Sequence, residues 1–273
     1  MPRLAVIQTV CRVGDVEHNL SNMSALVAEA GRQGADLVCL PELSTTGFVP
    51  ERFAELAEPI PGPSTARLGQ AAKAGRLFLV AGLLERDPQT QRLHNACVLI
   101  SPGGELLDRY RKVFLYLGER DILWPGSEPC LYDVGFCKLA LTICYDYVFP
   151  EYLRWLVDQG AQLLVHPTAW LTTDTCRQWH YSPLAYRAMG ITRALENTVF
   201  FLSANHCGDY DPQGSLRAIG QSAVIAPWGE VLAEVSEGQG VAVADVDFGK
   251  IPAWQQAAAP YLADRGVFAW KSR

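Results

Sequence analysis

The two halves of this 273-residue chain carry the same order of elements, and that order limits the fold more than any other feature of the sequence. The first half reads as strand 3–9, amphipathic helix 17–32, strand 36–40, helix 64–74, strand 77–84 and a hairpin, 94–101 and 105–110, turning on Pro102-Gly103-Gly104. Leu20, Met23, Leu26, Val27 and Ala30 share one face of the first helix, and Gly34 follows its end. The second half reads as strands 131–134 and 138–143, helix 150–158, strand 161–166, helix 183–195 and strand 198–204. A hairpin, 221–226 and 230–235, then turns on Pro227-Trp228-Gly229, and strand 241–246 closes the pattern. Alternating strands and helices give a sheet covered on one face, and two such sheets bury their bare faces against each other. The expectation is an α/β fold with sheets inside and helices outside. It forms one domain over 1–250, followed by a tail, 251–273, that holds Trp254, Tyr261, Phe268 and Trp270. No residue-level repeat accompanies the repeat of elements.

Within that frame, the polypeptide changes character abruptly at Cys144. The strand-forming run Lys138–Ile143 ends there, and Tyr145-Asp146-Tyr147-Val148-Phe149-Pro150-Glu151 opens toward a helix. A thiol on a strand-to-helix turn can face a cleft, beside amide N–H groups able to receive an oxyanion. Glu42 follows strand 36–40 and Pro41, at the carboxyl end where open α/β sheets place ligands. Lys112 follows strand 105–110, and Glu119 lies in the loop-rich stretch beyond it. Taken singly, these are a loop carboxylate, a solvated lysine and a surface acid. Their order together points to cysteine-based acyl transfer.

Other chemistries find little support. The five histidines (18, 94, 166, 180 and 206) show no HExxH or comparable spacing, so no metal is expected. There is no GxSxG elbow, Gly-rich phosphate loop or dinucleotide fingerprint, so no cofactor is expected. A papain-like pair of Cys144 with His166 or His206 lacks the usual local signature. A net charge of −6 without a basic cluster argues against nucleic acid and anionic membrane as partners. No apolar run is long enough to span a bilayer, and residues 1–10 are too short for a signal h-region, so a cytoplasmic location is expected. Eight cysteines without a CxxC pair read as free thiols, mostly filling the core.

The ordered set Leu40-Pro41-Glu42, Arg111-Lys112, Gly118-Glu119-Arg120, Pro125-Gly126 and Ile143–Glu151 resembles the nitrilase superfamily of carbon–nitrogen hydrolases. His166-Pro167, Arg193–Asn197, Ala204-Asn205, Gly220-Gln221-Ser222 and Pro227-Trp228-Gly229 extend the resemblance almost to the end. It implies a four-layer αββα sandwich. It also implies Glu42 as general base, Lys112 as oxyanion stabiliser, Cys144 as nucleophile and Glu119 as an additional acid, with the Tyr145 backbone N–H as second oxyanion donor. Thiol and carboxyl should then titrate as a coupled pair sharing a proton. Tyr145-Asp146 resembles the amidase and carbamoylase branches, whereas true nitrilases typically read Trp-Glu. Val148 stands where many of those members have Arg, which weakens the case for salt-bridged recognition of an acidic substrate. Asp264-Arg265-Gly266 lacks the double Arg of many members. The reading is hydrolysis of a small linear amide to acid and ammonia or amine through a thioester, with N-carbamoyl amines as the alternative substrate and a catalytically silent binding protein as the alternative class. Tyr116, Tyr147 and Trp170 are the expected substrate contacts, and Tyr181, Trp124, Trp179, Arg177 and His180 lie in the same loops. The resemblance also implies a homo-oligomer, a dimer or higher.

Overall fold

The computed structural model describes residues 1–210 and 215–262. In chain order the first half contains β1 (Arg3–Gln8), α1 (Val16–Arg32), β2 (Leu37–Cys39), α2 (Phe53–Leu56), α3 (Pro63–Gly75), β3 (Phe78–Arg86), β4 (Leu93–Ile100) and β5 (Leu106–Arg111). The second half contains β6 (Cys130–Asp133), β7 (Lys138–Leu141), α4 (Pro150–Asp158), β8 (Leu163–Thr168), β9 (Leu171–Thr172), α5 (Asp174–Gln178), α6 (Pro183–Asn197) and β10 (Phe200–Asn205). The chain continues with β11 (Cys207–Asp209), β12 (Arg217–Ile219), β13 (Ala223–Ile225), β14 (Val231–Glu234), β15 (Gly240–Asp245) and α7 (Lys250–Ala257).

Two six-stranded sheets form, in the orders β15-β1-β2-β3-β4-β5 and β14-β13-β10-β8-β7-β6. In each, three parallel central strands are extended by antiparallel ones. Reversing the second order superposes β6-β7-β8-β10-β13-β14 on the first, so the repeated element order becomes a repeated sheet. Period-two alternation assigns the faces. Leu4 and Val6 of β1 point into the seam between the sheets, against Leu139, Leu163 and Leu202, while Ala5 and Ile7 face α1 and α3. On the second sheet Leu164 and Phe201 turn outward to pack with Leu153, Leu156 and Tyr186 of α4 and α6. The layers are therefore α, β, β and α, as the resemblance implied.

Two features depart from expectation. A small sheet, β11-β12-β9, forms from two- and three-residue strands too short to show alternation. The expected tail begins as helix α7, whose Ile251 is buried in the seam and whose Trp254 packs edge-on against Trp228. The remaining tail residues 263–273, with Phe268, Trp270 and Asp264-Arg265-Gly266, lie outside the described residues.

Candidate active site

The site is built from the carboxyl ends of strands in both sheets. Cys144 follows β7 on a sharp turn, with φ at +43°, and opens the 3₁₀ segment Cys144–Val148. A non-glycine residue in this region stores about 1–2 kcal/mol of backbone strain. Asp146 holds the turn in place. It is fully buried and accepts from the Ile143 N–H at 2.8 Å, the Phe114 N–H at 2.9 Å and the Tyr110 hydroxyl at 2.7 Å. Arg193 of α6 braces the same segment, its Nε donating to the Tyr147 carbonyl at 2.8 Å. Because Tyr145 is the second residue of a helical turn, its N–H has no partner within that turn and is free to meet an incoming oxygen.

Glu42 is reached through a second turn, in which Leu43 has φ +46°. The Pro41–Leu43 segment lies directly on β3 at Gly82, where an added Cβ would come within 2.5 Å of the Glu42 Cα. Only glycine permits that approach. Gly126 does the same for Lys112. Its N–H donates to the Lys112 carbonyl at 2.8 Å, and a Cβ there would lie 2.2 Å from the Arg111 oxygen.

The charged groups form one closed network. Lys112 Nζ donates to Glu42 Oε1 and to Glu119 Oε2, each at 2.8 Å, and all three side chains are almost wholly buried. Asn95 Nδ2 joins the two carboxylates from the other side, at 2.6 Å to each. The second oxygen of Glu42 accepts from the Ala169 N–H at 2.7 Å, and the Tyr116 N–H fixes Glu119 at 2.7 Å. Burial alone would discharge the ammonium, but Glu42, then Glu119 and Cys144, outweigh it and hold the Lys112 pKa well above its ordinary value. Burial, followed by the charge of Glu42, pushes the Cys144 thiol far up, and Lys112 and Thr168 offset only part of this. The resting sulfur therefore keeps its proton, and attack requires a base.

Glu42, Lys112, Glu119 and Cys144 face one cavity of about 310 Å³, walled by the aromatic rings of Phe48, Tyr116, Tyr145, Trp170 and Tyr181. Tyr116 and Trp170 thus stand where substrate contacts were expected, and Tyr145 lines the same space. Tyr147 does not. It is fully buried, stacked on Phe201, tilted against His166 and edge-on to Trp170. A 3₁₀ segment turns about 120° per residue, so when position 145 faces the cavity position 147 is carried back toward the core. Asn95 carried no motif and was not anticipated. Its signal was alternation: Asn95, Cys97 and Leu99 share the inward face of β4, and a lone amide among core residues marks a polar site. Asn205 was visible only as part of a motif. It accepts from the Trp170 N–H at 3.0 Å and donates to the Gly220 carbonyl at 2.8 Å, so it positions the cavity wall.

The two candidate papain-like bases serve other ends. His206 Nε2 donates to the Glu42 carbonyl at 2.8 Å while Nδ1 accepts from Thr9 at 2.9 Å, and His166 Nδ1 meets Thr142 at 2.9 Å. Burial lowers the His166 pKa to about 3 and the His206 pKa to about 4. Both are thus held neutral in the fold but take up protons near pH 6.5 when unfolded, so they contribute stability that is lost as pH falls below about 6.5. Asp146, raised by burial to about 6, acts in the opposite sense between about pH 4 and 6 and offsets part of the effect. Thermal unfolding between pH 4.5 and 7.5 is expected to show a midpoint that drops below pH 6.5 and is nearly level above it. A level profile throughout would contradict the neutral assignment.

Among the described residues no cluster of histidine, cysteine, aspartate and glutamate is arranged to hold a metal ion. The carbon–nitrogen hydrolase family matches residues 3–256. Omega-amidase NIT2 of Bos taurus is 34% identical over 260 residues, spanning 91% of this chain and 90% of its own. A protein named nitrilase from Pyrococcus abyssi is 35% identical over 253 residues, covering 90% of each. Among solved structures, an amidase from Nesterenkonia sp. AN1 superposes with a TM-score of 0.77 at 30% identity, over 97% of this chain and 100% of that one. In it acrylamide is joined to the active-site cysteine. Nit3 of Saccharomyces cerevisiae, a member of the nitrilase superfamily, superposes with a TM-score of 0.83 at 27% identity over 94% of each chain. A sandwich with a thiol turn over a carboxylate–ammonium network belongs to the class of cysteine-dependent acyl hydrolases. This chain is a member of the carbon–nitrogen hydrolase family, within the nitrilase superfamily.

Proposed function

We propose that this protein hydrolyses small linear carboxamides to the carboxylic acid and ammonia, through a thioester on Cys144. The observation that carries the reading is the convergence of Cys144 with the Glu42–Lys112–Glu119 network on one cavity. Glu42 takes the thiol proton as the sulfur attacks the amide carbon. The charge appearing on the carbonyl oxygen is received by Lys112 and the Tyr145 N–H. Glu42 then passes the proton to the amide nitrogen, the C–N bond breaks, and ammonia leaves. A water molecule, deprotonated by Glu42, attacks the thioester and releases the acid, and the proton returns to sulfur. Glu119 acts through Lys112 and Asn95, fixing both groups around Glu42. The amidase names of the relatives favour simple amides over N-carbamoyl amines.

Glu42→Gln keeps the shape of the side chain but cannot accept a proton. It is expected to lower kcat by about 10²–10⁴-fold while Tyr116, Trp170 and the cavity stay in place. A panel of primary amides and N-carbamoyl amines, followed by ammonia release, tests the reading. Ammonia from amides without carbon dioxide supports it, and no ammonia from any primary amide contradicts it.

We further propose a cytoplasmic, self-associating protein. All eight cysteines are free thiols, and no described helix is long and apolar enough to cross a membrane. Trp155 of α4, Leu195 of α6 and Tyr261 are exposed on the outer helical layer, where Tyr261 donates to the Leu195 carbonyl at 2.7 Å. Such apolar groups suit a contact between copies.

A further inference from the structure

The part of the cavity beyond the catalytic groups has a chemistry of its own. Leu171, Thr173, Cys176 and Leu216 line it together with the rings of Trp170 and Tyr181, and this stretch is termed its far wall. The Thr173 hydroxyl is already committed: it caps α5, accepting from the Cys176 N–H at 3.3 Å and lying 3.5 Å from the Cys176 sulfur. What remains is aromatic faces, two leucines, a soft, polarisable thiol and one neutral hydroxyl, that of Tyr181. Cations are absent from the described far wall. Lys112, the single cation lining the cavity among the described residues, is already paired with two carboxylates, Glu42 and Glu119. Arg177, next to Cys176 in sequence, is exposed and turned to Asp174 and the Ser215 carbonyl. Two carboxyl groups against one ammonium also give the cavity a negative bias.

We infer that this cavity selects uncharged amides with a compact apolar or aromatic acyl group and rejects amides bearing a second, ionised carboxylate. The inference rests on the amidase reading above and names its substrate class. The volume of about 310 Å³ corresponds to roughly ten water-sized units at ~30 Å³ each, which suits an acyl group of about that many non-hydrogen atoms. An anionic tail placed there would lose its hydration and meet no cation among the described residues, and a buried charge without a counter-charge is strongly disfavoured.

The test is a matched pair: pentanamide, and 4-carbamoylbutanoate, in which the terminal methyl of the same chain becomes a carboxylate. With the full-length protein, kcat/KM from ammonia release is expected to favour pentanamide by at least about 100-fold. Cys176→Arg, which places a guanidinium on the far wall, is expected to shift the ratio at least about tenfold toward the carboxylate. A ratio is read within one preparation, so a partly folded variant does not distort it. Equal turnover of the two amides by the unmodified protein, or preference for the carboxylate, would overturn the inference and leave the amidase reading intact. A ratio unmoved by Cys176→Arg would overturn the placement of the acyl tail against that wall. Failure to release ammonia from any primary amide would overturn the amidase reading and this inference with it.

Discussion

Cys144→Ala is expected to reduce amide turnover by at least about 10⁴-fold while stability changes by no more than about 1 kcal/mol. The activity falls because Cys144 is the cavity thiol that faces Glu42, Lys112 and Glu119. Lys112, Glu42 and Glu119 are hydrogen-bonded to one another and face a neutral thiol. The fold survives because the turn is held by Asp146 and Arg193 rather than by sulfur. Steady-state ammonia release together with urea unfolding checks both halves of this expectation. Retained turnover in a folded variant would remove Cys144 from the chemistry.

The second large effect is expected at Lys112. Its ammonium lies 2.8 Å from each of two buried carboxylates that Asn95 also ties together. Removing one partner of a buried ion pair leaves uncompensated charge, which costs about 3–5 kcal/mol. Lys112→Met should therefore destabilise the protein by about that amount. It should also lose about 10²–10³-fold in kcat, since one oxyanion donor is gone. Adding Glu119→Gln removes one of the stranded charges and is expected to return part of the stability but none of the activity. Urea unfolding of the single and double variants, beside kcat for each, separates the structural role of the ammonium from its catalytic one. A Lys112→Met protein as stable as its parent would mean that the carboxylates have another counter-charge.

The repeated element order was readable because strands and helices of ordinary length carry their own periodicity. Leu4 and Val6 against Ala5 and Ile7 is a pattern that any buried strand must show. Cys144 and Glu42 were visible for a related reason: each interrupts an apolar strand at its carboxyl end. The parts that escaped depend on neighbours distant in the chain. β12 is held by pairing with β9 on one side and β11 on the other, not by its own residues, and β9 is held by β12. Tyr147 reads as one more aromatic in a polar loop, and only the turn of the 3₁₀ segment sends it into the core among His166, Trp170 and Phe201. Asn95 becomes meaningful once β4 is set beside β5, where the Lys112 N–H donates to the Asn95 carbonyl and aligns the two side chains. Helix α7 is not legible in the sequence because its apolar residues, Ile251 and Trp254, find their partners in the seam and on Trp228.

The central claim is that substrate becomes covalently attached at Cys144. The direct measurement is peptide-level mass spectrometry of the protein quenched in acid during turnover of pentanamide. The account predicts one added acyl group, replacing one hydrogen, on the peptide containing Cys144 and on none of the peptides carrying the other seven cysteines. An acyl group on a different residue, or sustained turnover with Cys144 never modified, would contradict it.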